Sequence, residues 1–514
     1  MSQHRPDRDQ VVAPTREDPL AREASGAFGG PHGARSAGHP WWTPVRVVLA
    51  LTSVVWLLAM AQKAPCAADG WSGDDSRYAQ MCYSDVPYLY VGRGFAERVL
   101  PYSDTSGRYA DLEYPVGIGY FAYGAAALTH ATIGWPDLAD RSAVEVDALN
   151  GFPGVDAERD DFFLVTAVVL APFMLLAAYF MTGAHRRRPW DALPFAVAPA
   201  VVLTGLINWE PLAIAAVAGA FWAWARGRPL LAGVMVGLGT AVKLYPLFLL
   251  GAFLVVALRR GRPAMFGWAA LGAVLAWVAA NSPAWLYGFD GWKAFWGFNA
   301  DRGADLGSVW LLAAQWGLPA EPSTINIVSW GFFMAVCVGV LVLGLRTRHV
   351  PRIAQLAFLV MVGFLLVNKV YSPQYVLWLL PLAVLARPRW RDLLVWQAGE
   401  AFYFVMVWMY LGGFSAPATE GADDRLYQVA IIVRILAQLY LVAVVMRDMM
   451  RPEHDPARPP GQPDTDPMWP EDTPASGPGG SADGDPHEVV EGGRRETDLH
   501  GDLVTHGRHV RAKR

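Results

Sequence analysis

From residue 45 to residue 446 the chain alternates between long apolar blocks and short polar turns, and few folds satisfy that pattern. The hydrocarbon core of a bilayer takes ~20 apolar residues as a helix, and every backbone N–H and C=O inside it must be paired within the protein. A membrane barrel would instead show short strands of alternating polarity, and none is evident. The reading is an all-α, polytopic bundle of transmembrane helices. Composition agrees, with 54% of the 514 residues hydrophobic and 17% charged. The formal charge of -4 points to no particular partner. Clustered basic surface laced with aromatics, which nucleic acid would require, is missing.

Six basic clusters punctuate the blocks: "HRRRPW" (185–190), "RGRP" (226–229), "RRGRP" (259–263), "RTRHVPR" (346–352), "RPRWR" (387–391) and "RDMMRP" (447–452). The positive-inside rule places them on the cytoplasmic side. The turns between them, "NWEP", "NSPAW", "NKVYSPQY" and "GGFSAPATEGADD", are poor in cations and fall on the outer side. The spacing predicts about twelve spans, near 45–62, 161–183, 191–207, 210–225, 230–242, 245–258, 264–281, 326–345, 353–368, 374–387, 391–411 and 427–446. Both termini are then cytoplasmic. The pair 230–242 and 245–258 is short, so tilted or partly unwound helices are expected there. Residues 116–134 fit a helix lying in the outer interface, because a crossing there would put "HRRRPW" outside. The first span is expected as an uncleaved anchor, with a cleaved leader ending near "AMAQKA" as the alternative. Residues 1–44 and 451–514 cannot bury enough apolar surface to offset chain entropy and are expected as disordered cytoplasmic tails flanking a 45–450 membrane domain.

The first outer loop, 63–160, carries chemistry. It holds Cys66 and Cys82, and an exported loop is where disulfides persist; closing a loop of that size contributes ~3 kcal/mol. Whether the two pair stays open. In "CYSDVPYLYVGRGFAERVLPYSD", Pro87 fits a first helical turn, with Tyr88, Arg93 and Glu97 following on helical spacing. Asp85 has two readings: an N-cap taking up free backbone N–H groups, or a general base held above the membrane. Glu113, followed by Tyr114 in "LEYP", is either a second carboxylate or a turn residue before a proline.

Other outer turns are rich in amides and cations: Asn208 and Glu210 in "NWEP", Asn299, Asp301, Arg302, Asp305 and Ser308 in "FNADRGADLGS", and Asn368, Lys369, Tyr371, Ser372, Gln374 and Tyr375 in "NKVYSPQY". Lys243 and Tyr245 occupy the turn between the two short spans. Such turns on one face imply a shared cavity in which Lys243, Lys369, Arg302 and Arg93 converge on a phosphate. "GVMVGLG" lacks the spacing of a nucleotide loop, and no HExxH or paired CxxC supports a metal. Trp292 and Trp296 are either sugar-stacking or interfacial-belt residues.

At these residues the chain resembles the polyprenyl-phosphate-dependent glycosyltransferases of the GT-C superfamily, in particular glycosyltransferase family 87, a bacterial mannosyltransferase-like group. The likeness rests on "YSDVPYLY" with "EYP", "INWEPLA", "AGVMVGLGTAVKLYPLFLL" and "NKVYSPQYVLWLLPL", spread over 45–446. The resemblance implies juxtamembrane helices in the first outer loop and a catalytic carboxylate that maps to Asp85. It also implies a polyprenyl-phosphate sugar as donor, typically mannose, with inverting transfer to a lipid-linked or cell-envelope glycan on the outer face of the plasma membrane. No cofactor is implied, the lipid-linked sugar being a substrate. The remaining substrate contacts expected are Glu113, Tyr114, Asn208, Glu210, Tyr245, Tyr371 and Gln374. One departure stands out: an Asp is expected after "NW", where this chain has Glu210. The rival functions are a lipid-linked sugar flippase or transporter and a glycan polymerase or ligase. A transporter predicts internal repeats and charges at mid-membrane depth, and neither is clear in the sequence.

Overall fold

The computed structural model describes residues 18–21, 23–24, 41–71, 76–104, 106–415 and 424–470. These residues are helical, with no strand among them. The longer helices are α1 (Pro44–Ala68), α2 (Asp85–Gly92), α3 (Val116–Ile133), α4 (Val155–Ala184), α5 (Glu210–Trp224), α6 (Pro229–Val242), α7 (Leu249–Arg259) and α8 (Pro263–Tyr287). They continue with α9 (Phe289–Asp301), α10 (Val309–Gln315), α11 (Pro322–Arg346), α12 (Ile353–Val367), α13 (Val376–Ala386), α14 (Trp390–Leu411) and α15 (Arg425–Met450). The basic clusters act as punctuation. "RGRP" and "RRGRP" each end on a proline at the start of α6 or α8, where its missing N–H costs nothing.

Among the described residues five helices, α1, α4, α8, α11 and α15, are long and apolar enough to cross a membrane. Five further apolar helical stretches are shorter: Glu210–Trp224, Pro229–Val242, Tyr245–Arg259, Ile353–Val367 and Pro373–Ala386. A 15-residue helix rises only ~22 Å, against ~30 Å of hydrocarbon. Among the described residues length and composition mark five crossings, and the expected count of about twelve is not reached on these criteria alone. The segment 191–207 is not a regular span. It is a 3-10 turn at Pro189–Ala192 followed by short helices Leu193–Ala196 and Pro199–Thr204. Pro199 forces Ala198 into an extended conformation, and the Ala200 N–H after the break donates to the Gln397 side chain at 3.3 Å.

The polar turns nevertheless separate as the charges predict. Helices α5, α12 and α13 each join a basic loop to an amide-rich turn, and α6 and α7 each join a basic loop to the turn of Lys243 and Tyr245, so the two kinds of turn lie at opposite ends of the bundle. Packing within the bundle depends on small residues. Gly233 and Gly237 on α6 and Gly272 on α8 let the two backbones touch, and a Cβ on any of them would strike a facing carbonyl. "GVMVGLG" is thus a helix-contact motif.

At the basic end, residues 451–470 depart from the expected solvated tail. Asp455 accepts from Arg352 (2.7 Å) and Arg458 (3.1 Å), all three buried. Asp466 accepts the Ile353 N–H that opens α12 (3.1 Å), and Arg188 donates to the Pro456 carbonyl (2.9 Å). Met468 is fully buried, and Trp469 lies against Trp224 under the Arg260 guanidinium. The segment is poor in apolar residues, but its acids neutralise arginines that the helix ends leave buried. The tail expectation for 1–17, 25–40 and 471–514 lies outside the described residues.

In the loop over 63–160, α3 forms over the stretch read as an interfacial helix and packs on α4, α6 and α8. Helix α2 is shorter than the spacing implied. It ends at Gly92, Gly94 adopts φ +75°, and Glu97 belongs to a separate 3-10 turn. Cys66 and Cys82 are joined by a disulfide, tying the end of α1 to the strip that leads into α2. Cys337 is a free, half-buried thiol on α11.

Candidate active site

The segment 83–85 is pinned from several sides. Gln62 and Lys63 on α1 donate to the carbonyls of Met81 (2.5 Å) and Tyr83 (2.8 Å). The Asp85 N–H donates to the Ile207 carbonyl (2.8 Å), docking the loop onto the turn before α5. Ser84, not Asp85, caps α2, its hydroxyl accepting from the Val86 N–H at 3.3 Å. The Asp85 carboxylate is therefore not used as the cap. It accepts from the Tyr83 hydroxyl (2.8 Å), the Asn208 amide (2.8 Å) and the Tyr114 hydroxyl (3.3 Å). The Asn208 amide also donates to the Tyr114 hydroxyl at 2.9 Å, and its oxygen takes the Trp209 N–H at 2.7 Å. Each polar atom of Asn208 is thereby occupied, which fixes the amide orientation.

Asp85 opens onto a cavity of about 470 Å³, within the size range of small-molecule sites, ~300–1,000 Å³. Tyr83, Glu113, Tyr114, Asn208, Lys243, Tyr245, Arg302 and Gln374 share its wall with Asp85. Enclosure pushes the Asp85 carboxyl above the ordinary carboxylate range; the Tyr83 and Asn208 hydrogen bonds, the Lys243 charge and the Tyr114 hydroxyl pull the other way without cancelling it. Burial and the neighbouring Asp85 and Glu113 charges push the Tyr114 phenol up, so it stays a hydrogen-bond donor.

Lys243 ends α6 with extended backbone, which turns its side chain into the cavity. Its amine pairs with Glu210 at 3.2 Å and lies 5.0 Å from the centre of the Tyr114 ring. Glu210 is fully buried and also accepts from the Trp378 indole (2.5 Å). It does not line the cavity, so the expected substrate contact becomes a support for Lys243. Arg302 also lines the cavity and is paired with Asp305 through its Nε at 2.8 Å.

Three expected residues lie elsewhere. Arg93 is behind Glu113, its Nε and Nη2 held in a two-pronged pair (2.9 and 2.8 Å) that leaves only the carboxylate side on the cavity. The Lys369 amine is drawn away to Asn326 (2.7 Å) and the Ala300 carbonyl (3.3 Å). Tyr371 is buried beneath the Arg434 guanidinium, 3.5 Å from its ring centre. Trp292 and Trp296 are also outside, in an aromatic cluster with Trp285 and Phe295; Phe295, Phe298 and Asn299 of α9 reach the cavity instead.

Trp378 and Trp408, which the sequence did not single out, complete the wall together with Tyr375. Tyr375 stacks on Trp378 at 3.8 Å, and Trp378 on Tyr245 at 4.7 Å, forming a three-ring column. On another side Trp408 packs against Tyr83 (5.4 Å) and Tyr78 (6.1 Å). Trp378 lies inside the apolar run "YVLWLLPL", where nothing in the pattern marks it. Among the described residues no group of three or more His, Cys, Asp or Glu side chains gathers to hold a metal.

The arrangement offers one enclosed carboxylate base, two cations and flat aromatic faces around a single cavity. No curated protein matches the chain. The family model of glycosyltransferase family 87 matches residues 160–373, which takes in Asn208, Lys243, Tyr245 and Arg302 but begins after Asp85. Over that stretch the chain is similar to glycosyltransferase family 87, a family of GT-C type, and the match supports a membrane glycosyltransferase.

Proposed function

We propose that the chain moves a single hexose, mannose on the family resemblance, from a polyprenyl-phosphate donor to a hydroxyl of a glycan or glycolipid acceptor at the outer face of the plasma membrane. The observation that carries this is the placing of Asp85 on one cavity with Lys243 and Arg302. Asp85 removes the acceptor O–H proton while that oxygen bonds to the anomeric carbon. The bond from the anomeric carbon to the phosphate oxygen breaks on the far side, its electrons leaving with the polyprenyl phosphate. A single displacement of this kind inverts the anomeric configuration. A positioned base supplies ~10²–10⁴-fold. Lys243 and Arg302 take up the charge that grows on the departing phosphate.

The helix lengths support a lipid-borne donor. Helices α5, α6, α12 and α13, which end at the cavity, are shorter than α4, α8 and α11 around them. The cavity floor is then sunk below the bilayer surface, at the depth of a lipid phosphate. On this reading the shorter helices also traverse the membrane, the basic loops and both termini face the cytoplasm, and the crossings approach twelve. The aromatic column of Tyr245, Trp378 and Tyr375 offers a face for a sugar ring. A cavity of about 470 Å³ suits one sugar phosphate and the end of an acceptor, which favours single-sugar transfer over block transfer by a polymerase or ligase.

The test incubates membranes with individual labelled polyprenyl-phosphate sugars, with and without the protein. Transfer of one label to an extractable glycan or glycolipid, dependent on the protein, is expected. Movement of intact lipid-linked sugar across vesicles with no transfer would establish the flippase reading instead.

A further inference from the structure

Charge lies inside the bundle where no substrate reaches. Arg434 of α15 is fully buried, and Glu400 of α14 is 5% exposed. The Arg434 Nε donates to Glu400 at 2.7 Å. Glu400 also accepts from Gln438 (2.8 Å) and from the Trp396 indole (3.1 Å), so its carboxylate is fully engaged. Ionisable groups on spanning helices are expensive, and a hydrophobic pair of similar volume would serve stability as well or better. A buried pair is kept for something else.

The other prongs of the guanidinium show what. Arg434 Nη1 donates to the Tyr371 carbonyl (2.6 Å) and Nη2 to the Ser372 carbonyl (3.3 Å). The same group lies flat over the Tyr371 and Tyr403 rings, at 3.5 and 4.2 Å from their centres. Residues 368–372 are not helical; the Tyr371 carbonyl also takes the Tyr403 hydroxyl (3.4 Å), and the Ser372 carbonyl takes the Tyr375 N–H (3.1 Å) that opens the next 3-10 turn. Immediately after them come Ser372, Pro373, Gln374, Tyr375 and Trp378, all on the cavity wall.

A second lining segment hangs on the same point. The Tyr371 N–H donates to the Leu306 carbonyl (2.9 Å), and the Gly307 N–H donates to the Tyr427 hydroxyl (2.8 Å). Gly307 has φ +72°, and a Cβ there would strike both the Tyr371 carbonyl and the Tyr403 hydroxyl. Arg302 and Leu306, also on the wall, are thus in register with the strip that Arg434 grips.

We propose that Arg434, held by Glu400, is a positioning residue that sets the cavity wall formed by residues 302–306 and 372–378 and thereby the fit of the donor's sugar phosphate. The inference rests on the transfer reading above. Arg434 touches no substrate itself. Its planar fork is the feature required, because one ammonium cannot hold two successive carbonyls and a carboxylate in fixed directions.

The experiment uses the full chain in nanodiscs, with thermal midpoint, kcat and KM for the labelled polyprenyl-phosphate sugar measured together. Arg434→Met alone leaves Glu400 buried without its cation and is expected to lose stability. The double variant Arg434→Met/Glu400→Leu removes both charges and is expected to regain the wild-type midpoint. Its kcat/KM stays at least tenfold below wild type, with a raised KM. Arg434→Lys keeps the charge without the fork and shows the same rise in KM. Wild-type KM in the folded double variant, or in Arg434→Lys, overturns the proposal, since the pair would then be structural only. Binding of polyprenyl phosphate alone, followed by its effect on the thermal midpoint, is expected to weaken in both variants, and unchanged binding counts against the proposal even where turnover is not seen. Failure of the transfer reading is separate: the wild-type protein itself would then move no label from any donor.

Discussion

Replacing Asp85 with Asn should remove activity and leave the fold at least as stable. Asp85 accepts three hydrogen bonds, from Tyr83, Asn208 and Tyr114. An amide preserves this pattern with one adjustment: its oxygen accepts from Asn208, and its NH₂ donates to a tyrosine hydroxyl, which accepts as readily as it donates. Enclosure holds the folded-state pKa of Asp85 above its unfolded value. The group therefore favours folding below the unfolded pKa, and that contribution is lost as pH rises through the folded pKa. At neutral pH the ionised carboxylate works against the fold, so an uncharged isostere should not lower the thermal midpoint. Transfer, by contrast, loses its base and falls ~10²–10⁴-fold, equivalent to about 3–5 kcal/mol of barrier at ~1.4 kcal/mol per decade. The assay pairs initial rates of label transfer with thermal unfolding of the same preparation. Retention of activity within a few-fold, or a clear fall in the midpoint with donor binding lost, would show that Asp85 is a structural carboxylate and refute the reasoning.

The acid limb of the pH–rate profile should lie above the ~3.9 of an ordinary aspartate, with the rate rising as Asp85 ionises; Tyr83→Phe removes a donor to the anion and should move that limb higher still. Lys243→Met should cut turnover ~10²–10³-fold by analogy with loss of one charge-stabilising donor, and the double variant with Glu210→Gln should recover the stability of the broken 3.2 Å pair without recovering turnover. Cys66→Ser/Cys82→Ser should lower unfolding stability by ~3 kcal/mol and reduce turnover further than the unfolded fraction explains, because the bridge anchors the strip leading to Asp85.

What could be read from the sequence was what repeats or what chemistry demands. The alternation of basic loops and amide turns gave the two ends of the bundle, because each short helix can only run from one to the other. Asp85 was identifiable as a candidate, but Ser84 and Asp85 are both capping residue types, and only the backbone shows which one caps. Lys243 was visible as a lone cation in an apolar run, whereas its partner Glu210 looked like a substrate contact until its burial was known. Arg93 and Lys369 were misplaced because a sequence shows charges but not their nearer partners, Glu113 and Asn326. The mid-bundle charge that the sequence did not show clearly is the Arg434–Glu400 pair, whose members sit on separate helices within apolar runs. The 451–470 segment misled for the converse reason. Its prolines and aspartates have the composition of a solvated tail, yet Asp455 meets Arg352 and Asp466 the Ile353 N–H, each about 100 residues away in sequence.

The most direct measurement is a structure of the Asp85→Asn protein with a polyprenyl-phosphate sugar bound. The account predicts the phosphate oxygens beside Lys243 and Arg302, the sugar against the Tyr245–Trp378–Tyr375 column, and the anomeric carbon presenting its face opposite the phosphate to residue 85. A donor whose phosphate lies on the residue 85 side, or whose sugar occupies a different cavity, would contradict it.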